Sequence, residues 1–161
     1  MTTALACDSK PQEPEVATAA SAPKAASANA PEGDSLSSVV DAYDEVRSAL
    51  AKDDFTAAVA QAAALRDAAK AATLEEVSDK ASVLTERSAD DAQAVRATFG
   101  EVSKALIAVL AGREKLRGSL HVFECPMAKG YGKWVQREKE KANPYMGQSM
   151  LQCGSESSWD A

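Results

Sequence analysis

The stretch Ser35-Leu36-Ser37-Ser38-Val39-Val40-Asp41-Ala42-Tyr43-Asp44-Glu45-Val46-Arg47-Ser48-Ala49-Leu50 decides the fold. Its large apolar residues, Leu36, Val39, Val40, Tyr43, Val46 and Leu50, recur three and four apart, the spacing that gathers side chains on one helical face. Asp34 or Ser35 is the expected cap, because a short oxygen-bearing side chain can accept from the first free amides. The pattern repeats downstream. Asp53 and Asp54 open a second helix carrying Phe55, Val59, Ala62, Ala63, Leu65 and Ala69 to about Ala72, and so short a link forces it antiparallel to the first. Leu74, Val77, Ala81 and Leu84 mark a shorter third helix. Ser88 to Leu110 gives a fourth, with Ala92, Val95, Phe99, Val102, Leu106, Val109 and Leu110 on its stripe. Ser103, Lys104, Asp90 and Asp91 fall off these stripes and are expected on solvated surface. No alternating run predicts a strand. The expected fold is all-α: an antiparallel bundle of about four helices with an irregular Cys/Met-rich C-terminal cap.

Composition agrees with one soluble domain: 161 residues, 45% apolar, 26% charged, 5% aromatic and a net charge of −6. Much of the apolar content is alanine, which favours helix and lets helix axes approach closely. The same figures argue against collagen, a strongly basic nucleic-acid binder and a multi-span membrane protein. Three cysteines are too few for a disulfide-dense scaffold, and no apolar run approaches eighteen residues.

Residues 1–33 contain Pro11, Pro14, Pro23 and Pro31 among Ala, Ser, Thr and Glu, with no Phe, Tyr, Trp or Ile to bury. Such a segment cannot repay the entropy of ordering and reads as a disordered tether. Its opening Ala4-Leu5-Ala6-Cys7 resembles the end of a bacterial lipoprotein signal, without the charged and long apolar parts of one. The expectation is a truncated signal remnant with Cys7 as lipid anchor, placing the protein in the periplasm or as an outer-envelope lipoprotein; a plain cysteine in a tail is the alternative. The helical domain is expected over residues 34–154 and a disordered tail over 155–161.

The chemistry concentrates from His121 onward, where all sulfur after Met1 and Cys7, both tryptophans and two of three tyrosines lie. Cys125 and Met127 flank a proline that holds the chain extended or turned. If Pro144 takes the first turn of a short helix capped by Asn143, then Met146, Met150 and Cys153 follow four and three apart and share one narrow face, with Gly154 as the stop. Thiolates and thioethers together select soft ions, Cu(I) first and Ag(I) by extension. Zinc could use the thiolates and His121, but that leaves the methionines without a role. The candidate ligands are Cys125, Met127, Met150 and Cys153, with His121 and Met146 as optional additions. No catalytic constellation accompanies them, so binding rather than enzymatic turnover is expected.

The ordered series Cys125-Pro126-Met127-Ala128, Trp134, Asn143-Pro144-Tyr145, Gly147, Met150-Leu151 and Cys153-Gly154 resembles the signature of a family of small helical bacterial periplasmic domains. Members occur alone or fused to adaptor subunits of copper and silver efflux systems. The resemblance covers about Cys125 to Gly154 and implies periplasmic copper or silver handling, with an efflux adaptor or another envelope protein as partner. Met146 departs from the pattern, which usually has an aromatic residue there. The single histidine also means that helix-borne histidine ligands found in other members are missing.

Other readings of the same residues stay open at this point. Cys125 and Cys153 could form a structural disulfide, closing about 28 residues and stabilising by roughly 3 kcal/mol; the protein would then be an interaction module without metal. Thiol oxidoreductase chemistry is poorly served, since no Cys-x-x-Cys is present. Arg113, Lys115, Arg117, Lys129, Lys133, Arg137, Lys139 and Lys141 are interspersed with glutamates and read as a solvated face rather than a nucleic-acid surface.

Overall fold

Asp54 and Asp91 each turn a carboxylate oxygen onto the amide three residues ahead, at 2.9 Å from Ala57 N and 2.9 Å from Ala94 N. These caps satisfy amides that have no partner within the helix, and they set the starts of two helices. In the computed structural model, which describes residues 32–161, the helices are α1 (Glu32–Ala51), α2 (Phe55–Ala71), α3 (Glu75–Thr85), α4 (Ala92–Ala111) and a single turn, α5 (Glu114–Arg117). The Ala4–Cys7 stretch and the tether to residue 31 lie outside the described residues. Each long helix packs on the next in sequence. Among the described residues, no helix is long and apolar enough to cross a membrane.

Two boundaries need correction. α1 starts ahead of Asp34 and Ser35, which lie inside the helix, and the Asp34 carbonyl accepts from Ser38 Oγ at 3.0 Å. α4 starts at Ala92 rather than Ser88, with Asp91 as its cap.

The protein is mainly helical but not all-α. After α5 come β1 (His121–Glu124), β2 (Lys133–Gln136) and β3 (Ser155–Glu156), forming an antiparallel sheet in the order β2-β1-β3. The alternation that announces a strand requires one wet face. Here Val122 and Phe123 are both buried, as are Trp134, Val135 and Gln136, so no alternation reached the sequence. Residues 155–161 are likewise not a loose tail. Ser157 N donates to Val122 O at 2.9 Å, the Arg117 guanidinium lies 5.2 Å from the Trp159 ring centre, and Lys133 Nζ donates to Asp160 O at 2.6 Å.

Helices and sheet share one core. An aromatic row runs from Tyr43 to Phe99 (5.1 Å between ring centres), Tyr145 (6.0 Å), Trp134 (6.1 Å) and Phe123 (5.5 Å), linking α1 and α4 to β1 and β2. Ser103, expected on the surface, is fully buried. Its hydroxyl shares a 2.6 Å hydrogen bond with Tyr43 Oη, which also accepts from Val135 N at 3.4 Å. Tyr43→Phe leaves both partners unpaired in the core and should cost about 1–2 kcal/mol in urea unfolding, with native secondary structure retained.

Candidate metal centre

Cys125 follows β1 directly. Its amide donates to Gly132 O at 2.9 Å, and its carbonyl accepts from Ala128 N at 3.2 Å, so Cys125-Pro126-Met127-Ala128 is a tight turn. The second cysteine is held by Asn143, which is wholly buried. Asn143 Oδ1 accepts from Tyr145 N at 2.8 Å and Met146 N at 3.1 Å. Its Nδ2 donates to Cys153 O at 2.9 Å, and its backbone N to Leu151 O at 2.9 Å. One side chain therefore caps the opening turn of the 143–153 loop and ties down its far end.

The loop differs from the expected short helix. Asn143 and Pro144 do start a turn, with Gly147 N donating to Asn143 O at 3.1 Å, but Gly147 then takes φ +57° and a 3-10 turn follows over Gly147–Met150. The cause is tertiary. The Asp53 carboxylate pairs with the Arg96 guanidinium and accepts from Gln148 N at 2.9 Å, while Arg96 Nε donates to Pro144 O at 3.0 Å. A Cβ at residue 147 would run into that pair. Met146, Met150 and Cys153 are thus not stacked on one helical face. Gly147→Ala combines a left-handed backbone with this collision and should destabilise by about 2–3 kcal/mol in denaturant titration.

The two cysteines do meet. Their thiols lie near enough for each to affect the other's ionisation, and both are free. Partial burial and the adjoining Cys125 sulfur hold the Cys153 thiol above its ordinary value, with the Lys141 ammonium pulling the other way. Gly154, the next residue, lies where a Cβ would come 2.9 Å from both Glu124 O and the Trp134 ring, so the chain after Cys153 lies flat against β1 and the indole.

Each cysteine has a methionine within one turn. Met127 is 55% exposed and Met150 38%, and Cys153 N donates to Met150 O at 3.0 Å. Met146 is half-buried and packs against the core. His121 lies at the opposite end of β1, about 13 Å away along an extended chain. Its Nδ1 faces Glu156 Oε1 at 4.0 Å, and its ring stacks on Phe123. The structure brings Cys125 and Cys153 near each other; Met127 and Met150 stand two and three residues from them in the chain with exposed side chains, Met146 packs against the core, and His121 faces Glu156. Among the described residues, no group of three or more His, Cys, Asp or Glu side chains converges as a metal cluster. The soft donors that the structure draws near one another are thus the two thiols.

No family model, curated protein or solved structure matches the chain.

Several residues that shape the site carried no such role in the sequence reading. Asp53 and Arg96 set the path of the 143–153 loop. Gln136, buried in β2, accepts from Trp134 Nε1 at 2.9 Å and donates to the carbonyls of Glu138 and Glu140, each at 2.7 Å. Lys141, assigned to a solvated face, donates to Gly154 O at 2.6 Å. The Asp53-Asp54 pair in a tight interhelical link was the one available signal, since only one of two such residues is needed as a cap.

Proposed function

We propose that this protein binds a soft monovalent metal ion, Cu(I) foremost and Ag(I) by the same chemistry, at the Cys125–Cys153 pair. The observation that carries the reading is the nearness of two free thiols from separate segments, each with an exposed methionine two or three residues away in the chain. Large apolar side chains are normally covered, and among the described residues Val83 is the only other exposed one. Exposed thioethers beside a dithiol make chemical sense as ligands for an ion that arrives from solution. Cys125 and Cys153 supply thiolates, and Met127 and Met150 stand ready as thioethers. His121 and Met146 remain the optional additional ligands, His121 standing at the far end of β1 and Met146 packed on the core. Zn(II) favours four ligands drawn from Cys, His and carboxylate, and among the described residues this pair gathers no third.

The ordered resemblance of Cys125–Gly154 to periplasmic domains associated with copper and silver efflux supports the same reading. With it come the proposals of a periplasmic setting, a lipid anchor on Cys7 and an efflux adaptor or other envelope protein as partner. Glu124, the carboxylate next to Cys125, is bonded to Ser157 Oγ at 2.9 Å, and the role that goes with this reading is carriage or buffering.

The thiol contact also favours a second reading, in which a Cys125–Cys153 disulfide staples the cap of a metal-free interaction module. Cu(I) titration against a chromophoric chelator separates the two. The reduced protein should take up one equivalent and the oxidised protein none; failure of the reduced form to compete would leave the stapled module.

A further inference from the structure

Lys141 stands in the link between β2 and Asn143, on a backbone held at both sides. Before it Glu140 O accepts from the buried Gln136 Nε2 at 2.7 Å, and after it Ala142 N donates to Gln136 Oε1 at 3.2 Å and Asn143 N to Leu151 O at 2.9 Å. The side chain is half-buried, and its ammonium is fixed on Gly154 O, one residue beyond Cys153. Surface lysines seldom hold one geometry, because their flexible stems lose entropy in doing so. Here the carbonyl and the fixed backbone place one positive charge beside the thiol pair. Glu124, the carboxylate next to Cys125, is turned to Ser157 Oγ at 2.9 Å.

We infer that Lys141 is the specificity-determining residue of the Cys125–Cys153 pair, supplying the one positive charge that a dithiolate holding a monovalent ion requires. The inference rests on the metal reading above and deepens it. Two thiolates and a monovalent ion sum to −1, which the ammonium brings to zero. Two thiolates and a divalent ion are already neutral, and the ammonium leaves that complex with an excess charge. A net charge in a partly buried site costs free energy, so the fixed cation separates ions by charge as the sulfur donors separate them by softness.

The test uses the full reduced chain, with Cu(I) and Zn(II) each titrated by chelator competition into wild type, Lys141→Gln and Lys141→Arg. Glutamine retains a donor for the Gly154 carbonyl and removes the charge; arginine keeps the charge. Lys141→Gln is expected to lower Cu(I) affinity about tenfold while Zn(II) affinity holds or rises, and Lys141→Arg to restore most of the preference. Equal losses for both ions, or no change for either, would overturn the inference while wild-type Cu(I) binding stood. Absence of Cu(I) binding by the wild type would overturn the metal reading, and this inference with it.

Discussion

Serine in place of either Cys125 or Cys153 should lower the Cu(I) affinity of the reduced protein by about a thousandfold, ~4 kcal/mol. The size of the loss follows from the proposed donor set: with two thiolates, each carries half of the anionic charge on the ion, and among the described residues no third His, Cys, Asp or Glu is grouped with them to replace it. Leucine at Met127 or Met150 removes only a neutral thioether, so those losses should be several times smaller. Acid acts in the same direction as serine. Metal binding displaces thiol protons, and the Cys153 thiol is held above its ordinary value, so affinity should fall steadily as pH drops through neutrality. A chelator-competition series for the four single variants checks the ranking. Equal small effects at all four positions would show that the ion sits elsewhere.

Trp134→Ala should cost about 3–5 kcal/mol of stability, the largest loss expected from any single truncation in the sheet. The indole is fully buried and faces Phe123 across the β1–β2 pair and Tyr145 from the 143–153 loop. Its Nε1 donates to Gln136 Oε1, and Gly154 rests on its six-membered ring. Removing it opens a cavity beneath the residue that follows Cys153, so the thiol pair should loosen along with the fold. Trp134→Phe keeps an aromatic filler but removes the indole donor from Gln136 Oε1, which retains Ala142 N, and a loss of roughly 1–2 kcal/mol is expected. Urea unfolding of both variants, with thiol alkylation rates at Cys125 and Cys153 followed in parallel, checks the coupling. Unchanged alkylation in a destabilised Trp134→Ala protein would separate the indole from the site.

The four long helices were legible because α1–α4 each bury one stripe against their neighbours. Val39, Val46 and Leu50, or Val95, Phe99, Val102 and Leu106, could be read off spacing alone. Asp54 and Asp91 were readable or nearly so, since capping is local. The sheet was not, because its strands are two to four residues long and successive residues of β1 and β2 are buried on both faces. Trp134, Val135 and Gln136 therefore read as an unpatterned run. Buried polar partnerships were hidden for a related reason: nothing local distinguishes Ser103, which meets Tyr43 sixty residues away, from the exposed serines of α1.

For the site, residue types pointed to the sulfur cluster, but its geometry came from distant residues. Cys125 and Cys153 meet because Asn143 and Gly154 fix the second segment against β1 and Trp134. The face shared by Met146, Met150 and Cys153 on paper is broken at Gly147, where the Asp53–Arg96 pair presses on the backbone. Helical periodicity describes an uninterrupted helix, and a tertiary contact ended this one after a single turn.

Copper-edge X-ray absorption of the reduced protein, loaded with one equivalent of Cu(I), tests the central claim most directly. The structure predicts a first shell made only of sulfur, two to four atoms, that collapses when Cys125 and Cys153 are both replaced by serine. A shell containing nitrogen or oxygen, or a sulfur shell that survives the double replacement, would contradict it.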